Sequence, residues 1–202
     1  QEFEVKEVYF NKDYEPYALE RDLAISELLE SNKTKPHSYK DQVIFEEKEI
    51  TKADGLPYTV YTPYKNKWLE KYKSMAPIPE YEAVNIFSNF FKFHFDFPTL
   101  EQIGFEESTI KVQPHNLSKI ANYHETRDFP AIDSTSYLSP HLRFGTVSIR
   151  KMVNFAAKTN QVFLSELICL FFVVFLMILG IFGPFLPEIV KNCSFLELIP
   201  LS

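Results

Sequence analysis

A strand–helix–strand pattern over about the first 45 residues restricts the fold of this chain more than any other feature. In chain order, the residues predict a strand marked by Phe3, Val5, Val8 and Phe10, a helix from Tyr17 to Leu29, a polar loop over Ser31–Lys40, a second strand at Gln42–Phe45 and a third at Tyr58–Tyr61. Two strands joined by one helix form a βαβ unit, in which the strands are parallel and the crossover is right-handed. The expected fold class of this part is therefore α/β.

One βαβ unit cannot bury both faces of its sheet, so further elements are expected to complete it. In the predicted helix, Ala18, Ile25, Leu28 and Leu29 share one face and should contact the sheet. The chain opens on the strand-like residues QEFEVKEVYF, with neither an initiator Met nor a signal peptide. We therefore expect a fragment of a longer, cytoplasmic protein.

The composition changes after Thr62. Residues 62–118 are rich in Pro, Lys and Phe and show weak periodicity. An aromatic cluster within them consists of Phe87, Phe90, Phe91, Phe93, Phe95 and Phe97. We interpret this segment as a linker packed tightly over both of its neighbours, and a base-stacking surface for single strands is the less favoured alternative.

From Asn116 onward the pattern is helical, and short polar residues lead into the helices. Residues 133–136 favour turns, and Ser139 before Pro140 is a suitable N-cap followed by a suitable first helical residue. Ser148 can cap a second helix, whose apolar face would consist of Ile149, Met152, Val153 and Ala156. A helix N-terminus beside free hydroxyls can bind a phosphate, although most such loops are ordinary caps.

Three short motifs follow one another in this region: Arg127-Asp128-Phe129-Pro130-Ala131, Thr135-Ser136-Tyr137-Leu138-Ser139 and Leu142-Arg143-Phe144-Gly145. Preceded by Tyr123, they resemble the start of the FAD-binding region of the DNA photolyase/cryptochrome family, most of all the bacterial class I cyclobutane pyrimidine dimer photolyases. The resemblance runs from about Val5 to Ile168. It implies the C-terminal part of a Rossmann-like α/β antenna domain at residues 1–64, an interdomain linker at 65–118, the first helices of an all-α FAD-binding domain at 119–168 and an aberrant apolar tail at 169–202.

The resemblance implies FAD as the cofactor. The residues that would hold it, mainly around its phosphates, are Tyr123, Thr135, Ser136, Tyr137, Leu138 and Ser139. Tyr137 stands where many relatives have Arg, so one charge contact is absent. Asn11 and Glu15 fall where some relatives contact a folate antenna, although a polar turn after a strand explains both residues equally well. A deazaflavin is the alternative antenna.

The resemblance also places two residues against UV-damaged DNA. Arg127 matches a position that contacts the DNA backbone, for which a planar guanidinium is suited. Glu166 matches the active-site acid that hydrogen-bonds a base of the dimer, and it is the catalytic candidate. Considered alone, Arg127 is more often a surface partner of Asp128, and Glu166 a helix-surface glutamate. Cys169 replaces the Trp expected to stack on the flipped-out lesion.

Leu167 to Pro187 contain no charged residue and are long enough to cross a bilayer. Without the resemblance, a membrane span is slightly favoured. A soluble flavoprotein pattern that stops at Ile168 indicates instead a disturbed reading frame, and then no membrane association is expected. A membrane-anchored variant is the rival hypothesis.

The leading hypothesis is a photolyase fragment. The complete enzyme would repair cyclobutane pyrimidine dimers by light-driven electron transfer from reduced FAD, whereas the fragment is expected to be inactive and monomeric. The alternatives are a cryptochrome-like blue-light photoreceptor and a membrane-tethered interaction protein. The five histidines show no metal-ligand spacing, so no metal is expected, and the net charge of −6 argues against a generally basic nucleic-acid binder.

Overall fold

The computed structural model describes residues 4–41, 43–46, 48–80, 86–92, 94 and 96–178. Two strands, β1 (Glu7–Asn11) and β2 (Lys35–Tyr39), run parallel and are joined by helix α1 (Pro16–Ser31). Tyr9 of β1 lies opposite His37 of β2 in this register. The predicted βαβ unit is therefore confirmed, but its second strand is a different segment.

The second strand comes earlier than predicted. Ser31–Lys40, the predicted loop, contains β2, whereas the described residues of Gln42–Phe45, the predicted strand, form no ladder, and Gln42 lies outside the described residues. The apolar residues of that segment are buried all the same, and the Phe45 ring packs edge-on against Trp68 with centroids 5.2 Å apart. The apolar residues 43–45 therefore belong to the core without forming a strand. The sequence of β2 is polar, and β2 is a strand because it pairs with β1.

Helix α1 packs through only part of the predicted face, where Ala18 is buried and Leu29 is half-buried. Ala18 is buried, and Asp22 and Ser26 are half-buried along the same side, whereas Ile25 and Leu28 are exposed. Residues at spacings of four share a helix face, so the contact with the sheet follows the small and polar side chains. The remaining apolar surface of α1 has no cover among the described residues.

Helix α2 was not predicted from the sequence. Tyr58–Tyr61, the predicted third strand, leads directly into helix α2 (Tyr61–Met75). Tyr64, Trp68 and Tyr72 recur at every fourth position of α2 and are all buried. The predicted linker therefore begins with a core helix, whose buried face is aromatic and whose other positions are mainly polar.

The described side chains of the aromatic cluster that follows are exposed. A short 3-10 helix spans Ile86–Asn89, and the exposed side chains around it are Phe87, Phe90, Phe91 and Phe97, the last at 86% exposure. The prediction of tight packing is wrong for these four residues. Phe93 and Phe95 lie outside the described residues.

The second part of the chain is helical, as predicted. A 3-10 helix (Leu117–Asn122) leads into four helices, α3 (Tyr123–Thr126), α4 (Leu138–Arg143), α5 (Ile149–Thr159) and α6 (Gln161–Ile178). Helix α5 begins after Ser148 and buries Met152, Val153 and Ala156, which confirms its predicted start and apolar face. Helix α6 packs against α2, α3 and α5 and so joins the two halves of the described core.

The end of the family resemblance at Ile168 leaves no break in α6. Phe171, Phe172 and Leu176 lie beyond that point and are buried. Among the described residues, no helix has both the length and the apolar character needed to cross a membrane. Residues 179–187 of the charge-free run lie outside the described residues.

Two polar side chains of α5 hold distant segments against it. Asn154 accepts a hydrogen bond from the Ile78 N–H at 3.0 Å and donates to the Ile78 carbonyl at 2.9 Å. Arg150 donates to the carbonyls of Lys40 and Asp41, each at 2.9 Å. Buried backbone groups need such partners, so α5 fixes the segments that follow both α2 and β2.

Asn160 caps α6, and its replacement is expected to lower the stability of the chain measurably. Its Oδ1 accepts from the N–H groups of Val162 and Phe163, and its Nδ2 donates to the Ala121 carbonyl at 3.1 Å. We expect Asn160→Ala to lower the free energy of unfolding by about 2 kcal/mol, because it removes both a cap and a buried donor. Urea unfolding followed by circular dichroism would measure this.

The matched control is Asn160→Asp, which keeps the capping oxygen and loses the amide donor. We expect its cost to be smaller than that of the alanine variant. Equal unfolding free energies for the wild type and Asn160→Ala would contradict the assigned cap.

Candidate functional site

A guanidinium–carboxylate pair lies where α3 meets α6. Arg127, directly after α3, places Nη1 2.7 Å from Oε1 of Glu166, which projects from α6. The Glu166 side chain is 6% exposed and the Arg127 side chain 24%. The other carboxylate oxygen, Oε2, is buried and has no hydrogen-bond partner among the described residues. The two DNA-side candidates are thus brought together, and one acceptor of Glu166 is left open.

Burial dominates the electrostatics of Glu166. Desolvation raises the pKa of Glu166 above its usual value, and Arg127 acts against this shift without cancelling it. Asp128 adds to the increase, whereas Lys65 opposes it. A buried carboxyl with an open oxygen and a raised pKa can hydrogen-bond a polar ligand atom placed against it.

Tyr123 lies beside Arg127 and near Glu166. It opens α3, and its ring meets Phe163 of α6 edge-on with centroids 5.1 Å apart. The Arg127 guanidinium carbon lies 5.8 Å from the centre of the Tyr123 ring, within the range of a cation–π contact. Tyr123, Arg127 and Glu166 therefore form one cluster, which we call the Arg–Glu cluster.

The other cofactor candidates lie on the loop before α4 and in the first turn of α4, and a lysine organises that loop. Lys119 donates to the Asp133 carboxylate at 2.7 Å and to its backbone carbonyl at 2.8 Å, and the Tyr137 hydroxyl donates to the same carboxylate at 3.1 Å. The hydrogen bonds from Lys119 and then Tyr137 hold the pKa of Asp133 below its usual value. The loop therefore keeps its acid ionised and largely neutralised by Lys119.

The helix after this loop begins two residues earlier than predicted. Tyr137, in the left-handed region with φ of +55°, precedes α4, so Ser139 lies in the first turn and is not the N-cap. A tyrosine rarely adopts this conformation, and here its hydroxyl contact with Asp133 accompanies it. The predicted cap is wrong because proline is tolerated throughout the first turn, where backbone N–H groups have no helical partner, and Pro140 is the third residue of α4.

The polar groups of the loop and of the first turn of α4 are either buried or open. Ser136 is buried, and its carbonyl accepts a hydrogen bond from the Asn116 N–H at 2.8 Å. The apolar side chain of Leu138, at the start of α4, is buried as well. Thr135 is exposed and Ser139 half-buried, and neither hydroxyl makes a hydrogen bond within the part of the chain that the structure describes. These two hydroxyls are open to a ligand.

The antenna candidates lie at the α/β end of the chain. Asn11 ends β1 and Glu15 precedes α1, and both are exposed. Neither lines the cleft of about 290 Å³ beside them, whose walls are Phe10, Lys12, Asp13, Tyr14, Leu19, Asp22, Leu23, Ser26, Ser38 and Glu46. The Tyr14 hydroxyl in this wall is buried without a hydrogen-bond partner among the described residues.

Sequence reasoning missed two contributors to these sites. Lys119 carries no motif, and only its contact with Asp133 reveals it. Tyr61 was assigned to a strand, although it opens α2 and reaches Ser165, the residue before Glu166. Across the described residues, no three side chains of His, Cys, Asp or Glu are grouped so that they could hold a metal ion.

Comparison with known proteins defines the class of this fold. Residues 1–83 match the family model of DNA photolyase. A deoxyribodipyrimidine photo-lyase from Alkalihalophilus pseudofirmus is 29% identical over 165 residues, which cover 74% of this chain and 34% of the relative. The motif-based resemblance to the DNA photolyase family is thereby confirmed. It spans about a third of the length of the curated photo-lyase it matches.

Two solved structures share the fold. A class III photolyase from Agrobacterium tumefaciens superposes with a TM-score of 0.64 at 22% identity, over 91% of this chain and 42% of that chain. An archaeal photolyase from Sulfolobus tokodaii, solved with two FAD molecules, gives a TM-score of 0.52 at 22% identity, over 90% of this chain and 40% of that chain. The predicted α/β-then-α fold class is therefore confirmed.

Proposed function

We propose that this chain is part of a photolyase that binds FAD and repairs cyclobutane pyrimidine dimers in DNA under light. The observation that carries the proposal is the Arg–Glu cluster, in which a motif-derived DNA contact and the motif-derived acid are 2.7 Å apart. The proposed division of the chain keeps residues 1–64 as antenna domain, 65–118 as linker, 119–168 as the start of the FAD-binding domain and 169–202 as the tail. Location in the cytoplasm and a monomeric state belong to the same proposal.

The loop before α4 fits the phosphates of FAD. The residues proposed to hold the cofactor are Tyr123, Thr135, Ser136, Tyr137, Leu138 and Ser139. The open hydroxyls of Thr135 and Ser139 can donate to phosphate oxygens, and Lys119 removes most of the repulsion that Asp133 would exert. When bound in its reduced form, the flavin supplies the electron that splits the dimer.

The Arg–Glu cluster fits the DNA side of the reaction. The Arg127 guanidinium is suited to a backbone phosphate, and it retains partial access to solvent at 24% exposure. The Oε2 of Glu166, which is buried without a hydrogen-bond partner among the described residues, is proposed to accept a hydrogen bond from a base turned into the site. Burial holds the pKa of this carboxyl above its usual value. Asn11 and Glu15 are proposed to contact a folate or deazaflavin antenna.

The sharpest test begins with the gene. Resequencing across Ser165–Pro187 and outward establishes the reading frame, and the complete frame is then expressed and purified. We expect bound flavin in its absorption spectrum and light-dependent repair of dimers in UV-irradiated oligothymidylate, with no repair in the dark. Glu166→Gln should lower the repair rate at least about tenfold while flavin stays bound.

The outcomes separate the alternatives. Flavin without repair would indicate a cryptochrome-like photoreceptor. The buried Cys169, at the position where Trp is expected, would then explain the loss of repair. Recovery in the membrane fraction without flavin would support the membrane-tethered protein. The chain as it stands is expected to retain little flavin and to repair nothing, and stoichiometric flavin with repair by this chain would contradict its assignment as an inactive fragment.

A further inference from the structure

A tyrosine from the opposite side of the core supports the helical turn that carries Glu166. The Tyr61 hydroxyl donates to the Ser165 carbonyl and lies 2.8 Å from the Ser165 Oγ. Tyr61 opens α2, and Ser165 lies 104 positions later in α6. A hydroxyl bound to both the carbonyl and the side chain of one residue restrains that turn in position and in rotation about the helix axis.

Packing holds the Tyr61 ring as well. The centre of the Tyr61 ring lies 5.8 Å from that of Phe172, which is two turns beyond Ser165 in α6. Lys65 lies over the Tyr61 ring, with Nζ 5.6 Å from the ring centre. Burial raises the pKa of Tyr61 to about 12, so its hydroxyl stays protonated and remains a donor throughout the neutral range. Titration of Tyr61 therefore does not remove its contact with Ser165 at neutral pH.

We infer that Tyr61 is a positioning residue for Glu166: by fixing Ser165, it aims the neighbouring carboxylate so that Oε1 meets Arg127 and Oε2 stays open. The inference rests on the role proposed above for Glu166. Tyr61 itself touches neither Glu166 nor Arg127 in any described hydrogen bond, so its influence passes through the α6 backbone. The Glu166 side chain is 6% exposed, so its packed surroundings leave it little room to adjust to a rotated backbone and keep the 2.7 Å pair with Arg127.

The test is the titration of Glu166 in the chain as it exists, with neither flavin nor DNA. In protein labelled with 13C at the glutamate side-chain carboxyls, each glutamate gives one NMR signal. The signal that is missing from Glu166→Gln is that of Glu166. Three charged groups act on Glu166, namely Arg127 and Lys65, which lower its pKa, and Asp128, which raises it. Because Tyr61→Phe would loosen the pair with Arg127, we expect the pKa of Glu166 to shift upward in that variant.

Two further variants make the result decisive. Ser165→Ala removes one of the two contacts and should give a smaller shift in the same direction. Tyr72→Phe is the matched control, because the Tyr72 hydroxyl faces Asn154 of α5 at 3.4 Å and not α6. We expect this control to leave the titration of Glu166 unchanged.

A merely structural role of Tyr61 would lower stability without moving this pKa. An unchanged titration of Glu166 in both Tyr61→Phe and Ser165→Ala would therefore overturn the inference, whatever happens to the unfolding free energy. Failure of the flavin and repair assays would bear on the proposed function alone, since the titration requires neither ligand.

Discussion

Trp68→Ala is expected to lower the free energy of unfolding by about 4 kcal/mol, the largest effect of any substitution considered for this chain. Trp68 is fully buried and stacks between Tyr72, at 5.3 Å, and Phe171, at 6.0 Å, so its loss opens a cavity between α2 and α6. Because Trp68 is the only tryptophan, urea unfolding must be followed by circular dichroism and not by tryptophan fluorescence.

Two controls separate packing from other causes. Trp68→Phe should cost less than half as much, since the indole N–H has no hydrogen-bond partner among the described residues and only ring volume is lost. Phe97→Ala, at an 86% exposed side chain, should change stability by less than about 0.5 kcal/mol. A phenylalanine variant as unstable as Trp68→Ala would contradict the assignment of this effect to lost ring volume.

Arg127→Ala should destabilise the chain by about 3 kcal/mol at neutral pH, because it leaves the Glu166 carboxylate buried without its counter-charge. The partial exposure of Arg127 keeps the effect at the lower end of the range for broken buried pairs. Glu166→Gln, which removes the charge and keeps the shape, is the matched control and should cost clearly less. Urea unfolding at several pH values measures both.

The pH dependence of this effect has a definite sign. The folded-state pKa of Glu166 lies above 4.5, so its protonated form favours the folded chain, and this stabilisation is fully present below pH 4.5 and lost as the pH rises through the folded-state pKa. Removal of Arg127 raises that pKa further. We therefore expect the cost of Arg127→Ala to shrink below pH 4.5, and a pH-independent cost would contradict the pairing.

The parts of the structure that were predictable are those encoded locally. Apolar spacing located α5 and its buried face, and the alternation around Val8 and Phe10 located β1. The motifs around Tyr123, Arg127 and Glu166 named three residues that the fold brings into one cluster. The motifs named residues that lie together in space without requiring any knowledge of the path between them.

The parts that were missed depend on distant partners. The polar strand β2 is a strand because β1 lies beside it, and α2 is a core helix because α6 covers its aromatic face. Lys119 and Tyr61 gain their importance from Asp133 and Ser165, to which nothing in the local sequence points. Strand and helix signals along one stretch cannot report such pairings.

The wide separation of α2 and α6 has a consequence for the growing polypeptide. Tyr61 and its contact at Ser165 are 104 residues apart, so at ~5–20 residues per second α2 waits about 5 to 20 s for α6 to be synthesised. During that interval the aromatic side of α2, including Trp68, has no partner from α6. The nascent chain therefore exposes the apolar aromatic face of α2 to chaperones or to neighbouring chains until α6 has been synthesised and packs against it. Loss of α6 would leave this face exposed permanently.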